Sequence, residues 1–245
     1  MTNNIQLRER IEPFKIFLYL WILILPWDFA KSIMGIFSII AIIWWLIIGQ
    51  RKGYFIKLKD ILYNKPLIFF FIFLLYCYLS LSWTKNFSYG LNVLNDYKYY
   101  WILVPIFFTA FEKKDVKNAF YVLVFSFCLY ALLSLSIFIG LFEIKDSNSS
   151  NPKRILAYAL VTVYMALNTL LAFYFYIEEE NRKIKYIILL ISILSFFALL
   201  ANNGRIGQIS FLVTVFILMI YYRSYLFKYK KLLILFIFSF VVTIT

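Results

Sequence analysis

The sequence predicts an all-α protein, a polytopic bundle of transmembrane helices in a single domain over 1–245, and three observations carry that prediction. First, 64% of its 245 residues are hydrophobic and only 15% are charged, with a mean hydropathy of +0.83. A soluble chain is about 45–50% apolar and about 25% charged. Second, the apolar residues form continuous runs, whereas the strands of an outer-membrane barrel alternate. Third, the basic residues sit between those runs. A water-soluble domain of this size could not hide so much apolar surface. A soluble enzyme, a disordered chain and a disulfide-stapled secreted domain are therefore excluded.

A bilayer core needs about 20 mostly apolar residues per helix, and on that measure nine runs qualify as candidates, the last incomplete. The first, 13–28, lacks a small-residue cleavage site and reads as a retained helix. The second and third cover 32–49 and 66–83. The fourth, 99–111, is short, and Tyr97, Tyr99, Tyr100 and Trp101 extend it as an interfacial belt. The fifth and sixth cover 119–142 and 155–177. The seventh and eighth, 186–201 and 206–222, are separated only by Asn202, Asn203, Gly204 and Arg205. A continuous helix there would carry Arg205 deep into lipid, so a tight turn is expected instead. The ninth, 232–245, is short of a span, and the chain is expected to be the N-terminal part of a longer protein.

Charge sets the expected orientation. The chain carries 25 Lys and Arg against 12 Asp and Glu, a net +13. In a soluble protein that excess would point to nucleic acid; between apolar runs it marks cytoplasmic loops, and no nucleic-acid partner is expected. With the N-terminus inside, 18 basic residues fall on the inner side and 7 on the outer, and every inner segment has at least three. The alternation holds only if 186–222 is two helices. Cys77 and Cys128 lie within apolar runs and read as core residues, and there is no histidine. Neither a metal cluster nor a nucleotide-phosphate loop is visible, so no metal and no cofactor is expected.

Polar residues break the apolar pattern mainly on the outer side. Gly204 suits a tight turn, and Arg205 then opens the eighth helix, where unpaired amides and a guanidinium fork both favour an anion such as a phosphate or pyrophosphate. The plainer reading is a guanidinium snorkelling to lipid headgroups. Before the sixth helix, Asn151 suits a cap and Pro152 a first turn, with Lys153 and Arg154 following. These basics equally fit headgroup binding. Lys98 adds outer positive charge near the fourth helix. Ser80-Leu81-Ser82-Trp83 closes the third helix, with Trp83 as an interfacial anchor.

Taken in order, Ser-x-Ser-Trp at Ser80–Trp83, Asn151-Pro152, and the Gly204-Arg205 turn between closely spaced helices resemble the O-antigen ligase/polymerase family. Family turns usually carry Ser before the arginine, where this chain has Gly204. The resemblance implies a glycosyltransferase of the bacterial inner membrane acting in lipopolysaccharide or lipooligosaccharide biosynthesis. It would take a glycan from an undecaprenyl-pyrophosphate-linked donor at the periplasmic face, with lipid A core as acceptor. It also implies that Arg205 contacts the pyrophosphate, helped by Lys153, Arg154 and Lys98, with Asn203, Gly204, Asn151 and Pro152 positioning the turns. The family's outer loop, with its catalytic histidine, has no counterpart here, so the general base is expected outside this chain and the chain alone is expected to be inactive. A polymerase of the same superfamily and a polytopic transporter or flippase remain as alternatives. Membrane lipids are partners on every reading.

Overall fold

The computed structural model describes residues 12–27, 31–95, 99–141, 158–202 and 204–221, and among them every regular element is helical. In order these are α1 (Pro13–Ile24), α2 (Lys31–Gly49), α3 (Tyr54–Ile61), α4 (Lys65–Leu79), a 3₁₀ turn (Ser80–Trp83), α5 (Phe87–Asn95), α6 (Tyr100–Ala110), α7 (Lys113–Phe138), α8 (Tyr158–Glu178), α9 (Arg182–Ala201) and α10 (Arg205–Tyr221). A helix thus occupies each of the first eight predicted runs, while 232–245 lies outside the described residues.

Length separates these helices. Four are long and apolar enough to cross a membrane: α4 with its 3₁₀ turn, α7, α8 and α9. A fifth arises if α2 and α3, bent by 110° at their junction, count as one span. At about 1.5 Å per residue, the 12 residues of α1 and the 11 of α6 fall well short of the ~30 Å hydrocarbon core. Two helices, α3 and α5, occupy stretches where the sequence reading places only loops. Both are too short for periodicity to outweigh the turn residues around them.

The helix ends follow local chemistry. Asn64 accepts the Leu67 amide at 3.3 Å and Pro66 occupies the first turn of α4. Asn181 accepts the Lys183 amide to open α9. At the start of α7, Asp115 Oδ2 accepts the Glu112 amide at 2.9 Å, half of a capping box. That helix ends on Gly140, whose φ of 77° lets the Gly140 and Leu141 amides reach the carbonyls of Ile137 and Ser136. This pairing closes the last turn as a Schellman motif.

The helices gather into two compact units, one of 1–25 with 30–120 and the other of 26–29 with 121–245. In the first, α1 and α2 run antiparallel: Trp21 donates to Ser38 Oγ at 3.2 Å, and Phe14 and Phe17 meet Trp44. Trp45 donates to Thr109 Oγ1 at 3.0 Å, and Gly35 faces the Tyr99 hydroxyl, so α2 and α6 run parallel. Leu18, Ala41 and Ile106 are fully buried between them. Ile36, Ile43 and Ile47 form an exposed stripe on the far side of α2, as expected of a surface that meets lipid.

In the second unit, which takes α7 from Tyr121 on, α7, α8, α9 and α10 alternate in direction. Phe127 meets Tyr164 and Tyr121 meets Phe175, which sets α8 antiparallel to α7. Asn168 donates to Ser195 Oγ at 2.8 Å and Ser192 donates to the Thr169 carbonyl at 2.9 Å, which sets α9 antiparallel to α8. Phe196 packs on Phe211 across the α9–α10 turn. Ala131, Val161, Met165 and Leu199 are fully buried in the core of this unit.

Candidate functional site

The Asn202–Arg205 turn lies at one end of the second unit, where α7 and α9 finish and α8 and α10 begin. Its first residue is not a surface turn residue. Asn202 is fully buried, with its backbone extended at φ −98°. Its Nδ2 donates to the Ala198 carbonyl at 2.7 Å and to Ser134 Oγ at 2.9 Å. One side chain therefore satisfies a carbonyl left open by the end of α9 and ties that end to α7. Gln208, on the first turn of α10, donates back to the Asn202 carbonyl at 3.1 Å. Asn202 and Gln208 together hold the turn closed from both sides.

Gly204 is buried and Arg205 is exposed. Among the described residues Arg205 forms no hydrogen bond or ion pair, so its guanidinium stands at the open start of a 17-residue helix. That is the combination expected to attract an anion: amides of a helix N-terminus together with a permanent cation. The position of α10 is set by Gly207. A Cβ at Gly207 would lie 2.3 Å from the Thr162 carbonyl carbon, so α10 crosses α8 in backbone contact, as small residues permit between apolar helices.

Asn203, Lys98, Asn151, Pro152, Lys153 and Arg154 lie outside the described residues. The Ser80–Trp83 motif belongs to the first unit. There it forms the 3₁₀ turn, in which Ser80 Oγ donates to the Cys77 carbonyl at 2.7 Å and Ser82 Oγ to the Leu79 carbonyl at 2.8 Å. Both hydroxyls thus serve the end of α4. Trp83 is 63% exposed, with its ring 6.1 Å from that of Tyr76.

Sequence reasoning missed a buried ionic cluster in the first unit. Lys15 Nζ lies 2.7 Å from Asp115 Oδ2, and both residues are buried. Tyr19 donates to Asp115 Oδ1 at 3.2 Å, so the carboxylate is held by a lysine, a phenol and the Glu112 amide. Nearby, Lys52 Nζ pairs with Glu12 Oε1 at 2.7 Å, and this ammonium holds the Glu12 carboxyl below its ordinary value. The available signal was that Lys15 falls near the start of the first predicted run and Asp115 just before the start of the fifth. Their separation of one hundred residues hid the pairing. Among the described residues no group of three or more His, Cys, Asp or Glu could hold a metal ion.

No family model matches the sequence, and no characterised protein and no solved structure matches it significantly.

Proposed function

We propose that the chain is a multi-pass inner-membrane protein that uses the Asn202–Arg205 turn to hold the pyrophosphate of a lipid-linked glycan. In this reading it acts as a glycosyltransferase of the O-antigen ligase type. The observation that carries the reading is the placement of Arg205: exposed, without a protein partner among the described residues, at the start of α10, on a turn braced by Asn202 and Gln208. A hydroxyl of the acceptor attacks the donor sugar carbon, and the bond to undecaprenyl pyrophosphate breaks. The guanidinium stabilises the charge that grows on the leaving group. The sugar and acceptor specificity, and the base that takes the acceptor proton, belong to residues outside this turn.

The nine-span topology with an inner N-terminus is part of the same proposal. It is supported by the antiparallel packing of α1 on α2 and of α7, α8, α9 and α10 in turn, and by the Lys15–Asp115 pair, which brings the starts of α1 and α7 together. An even number of crossings must then separate them, as the charge distribution also requires.

The test is glycan capping of lipid A, read by gel in cells that lack their own ligase and express the complete protein. Arg205→Ala should lower transfer by about one to two decades, because a hydrogen bond to a charged group contributes roughly 1.5–3 kcal/mol. Arg205→Lys keeps the charge but not the bidentate fork and should recover part of the activity. Near-normal capping by Arg205→Ala at equal protein level would overturn the pyrophosphate role. Extension of lipid-linked repeats in place of capping would assign the polymerase activity instead.

A further inference from the structure

The short helix α5 has no buried residue, yet it is not a free loop. Asn86 accepts the Tyr89 amide at 3.0 Å and opens the helix. Gly90 sits directly against the 3₁₀ turn: a Cβ there would lie 2.7 Å from Leu81 Cδ2. Farther along, the Leu94 carbonyl accepts the Tyr78 hydroxyl at 3.4 Å. Helix α5 is therefore seated on the last turns of the 65–83 helix, a segment long and apolar enough to cross a membrane and only 11% buried over its apolar window.

Its side chains sort by angle. At about 100° per residue, Gly90, which faces Leu81, and Leu94 lie on one side and are the two residues of α5 that are not exposed. Ser88, Asn92 and Asn95 fall on the far side and are exposed. Between these two sides run two apolar flanks, Phe87 with Leu91 and Tyr89 with Val93, all exposed by 41% or more. A polar stripe turned away from the end of a span, with apolar side chains on both sides of it, is the pattern of a helix lying in a bilayer interface.

We infer that α5 is a membrane-interface helix: its two apolar flanks enter the lipid at the level where the 65–83 span ends, and Ser88, Asn92 and Asn95 face headgroups and water. The occupant of those flanks is lipid because α5 is fixed to the final turns of the span. Only residues 84–86 separate the two, a reach of at most about 11 Å. The exposed Trp83 ring stands at the same level, where indoles anchor spans to the interface. The inference rests on the proposed reading of 65–83 as a membrane span.

The experiment is site-directed spin labelling of the complete protein in phosphatidylethanolamine–phosphatidylglycerol vesicles, with Cys77 and Cys128 replaced by alanine. Labels go singly at Phe73, Leu91, Val93, Ser88 and Asn92, and collision rates with oxygen and with a water-soluble nickel chelate are compared. Phe73, at mid-span and 60% exposed, reports the span itself and should favour oxygen strongly. Leu91 and Val93 should favour oxygen to a lesser degree, and Ser88 and Asn92 should favour nickel. Nickel-favouring labels at Leu91 and Val93, with Phe73 in lipid, would place α5 in water and overturn the inference alone. Labels at Leu91 and Val93 shielded from both reagents would show a protein contact instead, with the same consequence. A nickel-accessible Phe73 would overturn the span, and the inference with it.

Discussion

Gly207 and Thr162 leave no room for a side chain between α10 and α8: a Cβ on Gly207 would stand 2.3 Å from the Thr162 carbonyl carbon and 2.5 Å from its Cβ. An exposed helical glycine would gain up to about 1 kcal/mol on substitution by alanine. Here the sign reverses, because overpacking costs about 1–3 kcal/mol. Gly207→Ala should therefore lower the unfolding midpoint in detergent, and Gly207→Val should lower it further. Thr162→Ala should not restore Gly207→Ala, since the nearest obstacle is backbone. A Gly207→Ala protein as stable as the parent would show that the two helices do not cross this closely.

The Lys15–Asp115 pair predicts strong coupling. Removing one partner leaves a buried charge unmatched, which costs about 3–5 kcal/mol. Lys15→Met and Asp115→Leu should each destabilise the protein by that order, and the double substitution should cost less than either single change would suggest. The measurement is a double-mutant cycle on unfolding free energies. Additive effects would mean that the two charges do not meet.

Glu12 supplies a pH dependence. Its hydrogen bond with Lys52 lowers its pKa from 4.5, so the folded protein binds this proton less readily than the unfolded chain does. The resulting stabilisation is present above the unfolded value and is lost as pH falls through the folded one. Both side chains are more than a third exposed, so the contribution should be below about 1 kcal/mol. Acidification from pH 6 to about pH 3, past the ordinary carboxylate range, should lower the thermal midpoint slightly more in the parent than in Glu12→Gln. An identical pH profile for the two proteins would remove the pair from the stability of α1.

Topology is testable from outside the cell. In a background lacking Cys77 and Cys128, a membrane-impermeant thiol reagent should modify cysteines placed at Ser149 and Asn203. It should spare those at Lys57 and Glu179. The reverse pattern would invert the proposed orientation.

Much of the secondary structure was legible in the sequence, because a bilayer demands long apolar helices and confines charge to their ends. The all-helical class, eight of the helix positions and the break at Asn202–Arg205 all follow from that one-dimensional constraint. The break was legible because Arg205 cannot lie inside an apolar helix without cost. Tertiary structure decided the rest. Asn202, which reads as turn chemistry, is a buried clamp on Ala198 and Ser134, and that depends on α7 ending beside it. Gly207 matters because α8 touches it, and Lys15 can be buried because Asp115 meets it. The short helices α3 and α5 exist because neighbours hold them: Phe55 rests edge-on against Trp45, and Gly90 and Leu94 rest on the end of the 65–83 helix. Hydropathy is a property of consecutive residues, whereas these contacts join residues far apart in the chain, and only folding brings them within bonding distance.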